Sequence, residues 1–293
     1  MLEIKNVSKN FGSVKALNDV SFTINDGDLF GVIGQNGAGK STLFRSIMNF
    51  YDFKGEILYN GMKMSKVPLE KIGFLPEERS LSPKKSIKEE IEYFAKLNQM
   101  KNINDEIIEK WFNKFEIKGK PTDKIKTLSK GNQQKVQLLC ALIYNPEFVI
   151  LDEPFSGLDP YNITLLEDII KELNANGTTI VFSSHNMSNV ESLCNRILML
   201  KDGEIALYGT PLEVRNQFKA NKITIETDKD LSFLTEKYPR YDHYRDTWNF
   251  YPEEVKDGED IFREISEKIG YVKYFSQTPP TLHEIFTRTV EQE

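Results

Sequence analysis

Apolar and polar positions alternate along Leu2-Glu3-Ile4-Lys5-Asn6-Val7, which predicts a half-exposed strand. Residues 14–24 predict a second extended stretch, closed by the turn Asn25-Asp26-Gly27-Asp28. Leu29-Phe30-Gly31-Val32-Ile33 is nearly all large and apolar, so it reads as a buried strand, and residues 43–49 show helical apolar spacing. Strands follow at 55–59, ended by the hairpin turn Asn60-Gly61, and at 72–75, running into the loop Pro76-Glu77-Glu78-Arg79. Residues 86–98 open with a capping box, Ser86 with Glu89, and carry Ile87, Ile91, Phe94, Ala95 and Leu97 on one face. Residues 104–115 form a second amphipathic helix, and a third helix runs over 135–144, ended by Asn145-Pro146. The run 148–151 is a buried strand; Asp159 then caps a helix with Pro160 at its first position and Gly177 past its end. A strand at 178–182, a hairpin across Lys201-Asp202-Gly203 and a short helix after Thr210 complete this part.

Near Ala220 the pattern changes. Residues 222–227 alternate as a strand, 231–238 read as a short helix, 241–251 as an aromatic-rich hairpin, 259–269 as a helix and 271–275 as a strand. Residues 281–290 form a terminal helix with the capping box Thr281 and Glu284. That order predicts a small α+β domain of ferredoxin-like topology over 222–293. His243 and His283 lack metal-ligand spacing and read as solvated. The preceding part, 1–218, is α/β, with the helices of about 80–145 inserted as a helical subdomain.

The chain of 293 residues has 39% hydrophobic and 28% charged positions, as in globular proteins, and a net charge of −6. No cluster of lysine and arginine makes a basic face, which argues against a nucleic-acid partner. No apolar run reaches transmembrane length, and no signal peptide opens the chain. Cys140 and Cys194 lie in apolar periodic segments and read as reduced core thiols.

The chemistry gathers at four places. Gly34-Gln35-Asn36-Gly37-Ala38-Gly39-Lys40-Ser41-Thr42 is a G-x-x-x-x-G-K-[ST] loop between a strand and a helix. Its glycines let successive N–H groups point at phosphate oxygens, Lys40 reaches the β- and γ-phosphates, and the Ser41 hydroxyl holds Mg²⁺. Asp152-Glu153 ends the strand at 148–151, and two carboxylates at the carboxyl end of a buried strand need a cation or a reaction. His185 ends the next strand at the same sheet edge. Ser129, near the start of the third helix, reads either as an ordinary N-cap or as part of an anion site. Phe11 reads as an edge-strand residue packed on the core, or as a platform for a nucleotide base.

Taken together, residues 1–218 resemble the ATPase subunit of ABC transporters. The resemblance rests on the phosphate loop, Leu128-Ser129-Lys130-Gly131-Asn132 as the signature, Asp152-Glu153, the loop from Ser156 to Asp159, and His185. The tail, through Thr278-Pro279-Pro280-Thr281-Leu282-His283-Glu284-Ile285-Phe286, is similar to the C-terminal extension of a bacterial subgroup with sodium- and drug-exporter ATPases. The resemblance implies a P-loop NTPase cassette with a RecA-like core, an antiparallel β subdomain and a helical subdomain. It implies ATP and Mg²⁺ as ligands, with Phe11, Gly34, Asn36, Gly37, Ala38, Gly39, Lys40, Ser41 and Thr42 on ATP. Ser41, Asp152 and Glu77 would face the metal, Asp152 through water. Glu153 would act as general base, and His185 would contact the γ-phosphate. Ser129, Lys130, Gly131 and Asn132 would complete the site of a second ATPase subunit, with Asp159 in the loop between the two. A separately encoded membrane permease would hold the protein, otherwise cytoplasmic, at the inner face of the membrane, with export as the direction. A soluble ABC ATPase or a nucleotide-dependent regulator is the alternative. Phe11 replaces the usual tyrosine, Lys130 a glycine, Asn132 a glutamine, and Glu77 a glutamine that reaches Mg²⁺.

Overall fold

A computed structural model describes residues 1–78, 80–218, 222–252, 254 and 256–291. Arg79 of the loop after residue 75, and the pattern change near Ala220, lie outside the described residues. The chain divides into two compact units, Met1–Tyr208 and Gly209–Glu293.

In the first unit β1 (Leu2–Phe11) pairs antiparallel with β2 (Val14–Ile24) and β4 (Lys54–Tyr59), and β5 (Met62–Lys63) extends this sheet. The alternation along β1 is broken by a register shift between Ile4 and Val7, where Asn6 adopts a φ of 49°. A second sheet holds β3 (Leu29–Ile33), β6 (Ile72–Leu75), β7 (Phe148–Leu151), β8 (Thr179–Ser183), β9 (Arg196–Lys201) and β10 (Glu204–Gly209). Its order is β10-β9-β3-β8-β7-β6, and the five strands from β9 to β6 run parallel. Every residue of β3, β7 and β8 is buried, because a parallel sheet is covered on both faces. Phe30, Phe44, Phe148 and Phe182 fill the interior with no measurable exposure.

The parallel direction decides where chemistry can gather. The carboxyl ends of β3, β6, β7 and β8 lie along one edge, so the loops that follow them face one another. Helix α1 (Lys40–Ile47) leaves the loop after β3. Helices α2 (Ile87–Leu97), α3 (Asp105–Lys114) and α4 (Lys130–Leu142) follow β6 before the chain returns to the sheet at β7. The Ser86–Glu89 box caps α2 as expected, with Glu89 N donating to Ser86 Oγ at 3.2 Å and Ser86 N to Glu89 Oε2 at 2.6 Å. Helix α4 starts five residues before the expected 135, because Ser129 Oγ accepts from Asn132 N at 3.3 Å and nucleates the turn there. The polar first turn, Lys130-Gly131-Asn132-Gln133, hid this start from an apolar pattern. Helix α5 (Pro160–Ala175) runs from its Asp159 cap, and α6 (Met187–Leu193) follows β8. Cys140 and Cys194 are buried and unpaired, and burial pushes both thiols up into the neutral state.

The second unit opens with α7 (Pro211–Asn216), capped by a Thr210–Glu213 box. Arg215 of α7 donates from Nε to Pro280 O at 3.0 Å and from Nη2 to Pro279 O at 3.2 Å. These long-range bonds join α7 to the end of the chain within the second unit. The unit contains β11 (Lys222–Glu226), β12 (Tyr241–Tyr244), β13 (Thr247–Phe250), α8 (Asp257–Lys268), β14 (Tyr274–Thr278) and α9 (Leu282–Glu291). The order β12-β13-β11-β14, antiparallel throughout, places the first strand between the hairpin and the last strand, as in ferredoxin-like domains. The first helical connection is only a 3-10 turn, Ser232–Leu234, where the sequence predicts a helix over 231–238. The last strand lies three residues later than 271–275, because its register is fixed by β11, with Ile225 opposite Phe275. His243 stacks on Trp248 with ring centroids 3.8 Å apart, so it packs on an aromatic face while remaining exposed.

Candidate functional site

Gly37 and Gly39 hold φ angles of 87° and 106°, a region that favours glycine. At Gly39 a Cβ would also lie 2.5 Å from Ala16 O, so any side chain would displace the loop. The loop curls over the N-terminus of α1, whose unpaired N–H groups carry partial positive charge. Lys40 is buried, and its Nζ donates to Gly34 O at 2.7 Å and Gln35 O at 3.0 Å. Burial pushes the Lys40 ammonium below its ordinary pKa, while the carboxylates of Glu153, Asp152 and Glu77 oppose that shift.

A cleft of about 320 Å³ opens above this loop. Asn36, Gly37, Gly39, Lys40, Ser41 and Thr42 line one side; Glu77, Asp152 and Glu153 line the other. The Ser183 hydroxyl ties the two β7 carboxylate residues together: it donates to Asp152 Oδ1 at 2.6 Å and accepts from Glu153 N at 2.9 Å. Asp152 N donates to Leu75 O at 2.8 Å, which locks the end of β7 to β6. Glu153 has a φ of 50°, left-handed for a residue with a side chain, at a cost on the order of 1 kcal/mol. The turn points the chain away from the sheet and leaves the carboxylate half-buried in the cleft. His185 Nδ1 lies 2.9 Å from Glu153 Oε2; since a carboxylate only accepts, Nδ1 carries the proton. His185 is otherwise largely exposed, with its side chain at 70%.

The fold thus brings together the phosphate loop, Glu77, Asp152, Glu153 and His185. It does not bring the signature to the same cleft: Ser129, Lys130, Gly131 and Asn132 form the cap and first turn of α4 and do not line it. Asn132 accepts from Lys118 N at 3.1 Å and donates from Nδ2 to Ser129 Oγ at 3.1 Å, so Ser129 is both an N-cap and the partner of a second amide. Asp159 caps α5, and the Asn162 N–H holds its carboxyl below the usual range. Phe11 is 44% exposed at the end of β1, edge-on to Tyr51 at 5.2 Å, with Lys9 Nζ 5.0 Å from its ring centre. Ala38 is buried, and neither Phe11 nor Ala38 lines the cleft.

Three residues escape a reading by motif. Ser183 is one; its position beside His185 is visible in the chain, its bridge to Asp152 is not. The others are Gln134 and Gln137, polar positions at i, i+3 inside the apolar face of α4. Two buried amides in a mostly apolar stretch are a legible signal that something polar lies opposite.

A cleft built from a phosphate loop and strand-end carboxylates on a parallel sheet defines a P-loop nucleotide hydrolase. The ABC transporter family model matches residues 17–156, and that for the C-terminal domain of DrrA1-3-like ATP-binding proteins matches 209–290. The chain is 37% identical over 295 residues to the ABC transporter ATP-binding protein YhaQ of Bacillus subtilis (strain 168), covering 99% of this chain and 98% of that one. It is 30% identical to the lipopolysaccharide export system ATP-binding protein LptB of Haemophilus influenzae, covering 76% of this chain and 96% of that one. Among solved structures, the ATP-binding cassette MJ0796, a dimer in a post-hydrolysis state bound to ADP and Pi, superposes with a TM-score of 0.66. It is 26% identical and covers 72% of this chain and 98% of that one. The chain therefore belongs to the ATP-binding subunits of ABC transporters, and it is an ATPase.

Proposed function

We propose that this chain hydrolyses ATP as one half of a head-to-tail pair and thereby powers export through a membrane permease. The observation that carries the pairing is the divided site: phosphate loop and carboxylates line the cleft, and the signature at the start of α4 does not. A second subunit would lay its Ser129 and Gly131 against the bound nucleotide, giving two ATP molecules at one symmetric interface. Turnover per chain should then rise with protein concentration in the micromolar range; a rate per chain independent of dilution would show that one chain suffices.

Within the cleft the chain has separate tasks. The loop N–H groups and Lys40 neutralise the charge that develops on the phosphoryl oxygens. Glu153 accepts the proton of the attacking water as the water oxygen bonds to the γ-phosphorus and the bond to the ADP oxygen breaks. His185, held by Glu153, orients that water. Ser41, Asp152 and Glu77 offer a hydroxyl and two carboxylates, hard oxygen donors that fit Mg²⁺, which keeps most of its other positions for water and phosphate. When bound, the ion supplies Lewis-acid charge neutralisation at the phosphates.

Glu77 makes a specific expectation. A carboxylate attracts the metal and repels the γ-phosphate when the metal is absent. ATP binding should therefore depend more steeply on Mg²⁺ in the parent than in Glu77→Gln. Titrating ATP into both proteins with and without Mg²⁺ tests this; equal Mg²⁺ dependence would mean Glu77 stays away from the metal.

No helix among the described residues is long and apolar enough to cross a membrane, and a separate permease is the partner proposed for transport. Phe50, Leu69, Tyr93 and Leu97 are exposed apolar side chains of the first unit suited to such a partner. Gln99 Nε2 donates to Glu70 Oε2 at 3.2 Å, tying the end of α2 to the turn that carries Leu69. Export is the direction favoured by the likeness to a lipopolysaccharide export system ATP-binding protein. The lining residues of the cleft all belong to the first unit, and residues 209–293 are read as an accessory domain.

A further inference from the structure

We infer that Gln137 is a positioning residue that clasps the Glu77 loop to the signature helix. It rests in part on reading Glu77 as a metal-facing residue. Gln137 Nε2 donates to Pro76 O at 3.3 Å and to Glu78 O at 3.1 Å. Those carbonyls flank Glu77, whose side chain lines the cleft. One amide thus grips the backbone on both sides of one functional residue, and both its N–H donors are spent doing so. One turn earlier on the same helix face, Gln134 Nε2 donates to Pro154 O at 3.1 Å, directly after Glu153.

The choice of glutamine is informative. Gln137 is 4% exposed, and its Oε1 is buried with no hydrogen-bond partner among the described residues. An unpartnered buried acceptor is destabilising, and leucine or methionine would match its buried apolar chain neighbours Val136, Leu138 and Leu139 without it. The two N–H groups are what an apolar residue could not supply. The same loop has a second anchor: Glu90 of α2 is 1% exposed, and its Oε1 accepts from Ser82 N at 3.0 Å. Helices α2 and α4 pack together, so both grips belong to the helical subdomain.

The consequence is mechanical. Helix α4 begins at Ser129, the residue offered to the partner's nucleotide, and grips the Glu77 and Glu153 loops two turns later. A shift of α4 on engaging a partner therefore moves Glu77 with it. The clasp links occupancy of one site to the geometry of the other within a single chain.

The test uses the full chain with Gln137→Met and Gln137→Leu, made together so that a folding failure of one leaves the other. Hydrogen exchange of the peptide spanning β6 and the Glu77 loop, read by mass spectrometry without nucleotide or metal, should quicken about fivefold or more. Steady-state kcat should fall while KM for ATP stays within about twofold. The Mg²⁺ concentration for half-maximal ATP binding should rise, and in a Glu77→Gln background the Gln137 change should add nothing to it. Unchanged exchange in a folded variant would overturn the clasp, as would a Mg²⁺ shift of equal size with or without Glu77. Faster exchange together with a Glu77→Gln chain of parental Mg²⁺ dependence would uphold the clasp and remove Glu77 from the metal.

Discussion

Glu153→Gln is expected to bind ATP as the parent does and to lose roughly 100-fold or more of its turnover, the scale of a general base in proton transfer. The amide keeps the size and the left-handed backbone of Glu153, and the bond from its N–H to Ser183 Oγ is untouched. What it loses is the capacity to take a proton from water. It also loses the negative charge that holds the His185 Nδ1–H at 2.9 Å. Because the phosphate loop and Lys40 are intact, the variant should accumulate as an ATP-bound pair. Phosphate release, calorimetric ATP affinity and size exclusion with ATP give the three readouts. Hydrolysis at the parental rate would take Glu153 out of the base role.

Lys40→Ala should fail one step earlier. Lys40 is the cation among the residues lining the cleft, and three carboxylates face it. Its removal leaves a cleft of uniform negative charge for a polyanionic ligand. A charge-assisted hydrogen bond to phosphate is worth about 1.5–3 kcal/mol, so the ATP dissociation constant should rise about 10- to 100-fold. The ammonium also holds Gly34 O and Gln35 O, so the loop loses a tie across its own turn. Calorimetry with ATP and Mg²⁺ decides it, and an affinity equal to the parent's would mean that the loop amides bind the phosphates unaided. The two variants separate binding from turnover: one empties the site, the other fills and stalls it.

The features that could be read along the chain are those whose physics is local. The phosphate loop needs glycines at fixed spacing and a lysine and serine directly after them, and all of that lies within nine residues. The capping boxes at Ser86 and Thr281 act over three residues and appear where the sequence places them. The all-apolar runs of β3 and β7 announce burial on both faces, hence a parallel sheet, hence a shared edge for Lys40 and Asp152.

The remaining features depend on partners far apart in the chain. Ser183 joins Asp152 and Glu153 from about thirty residues away, and a serine beside a histidine carries no mark of that bridge. Gln137 reaches Pro76 and Glu78 across some sixty residues, and only the packing of α4 beside β6 puts its amide there. Arg215 of α7 meets Pro279 and Pro280 across more than sixty residues, and β14 takes its register from β11 and not from its own apolar pattern. In each case the deciding energy is a hydrogen bond or a packed face formed after the chain has closed a long loop. The sequence carries both partners, yet their adjacency exists only once the sheet is assembled.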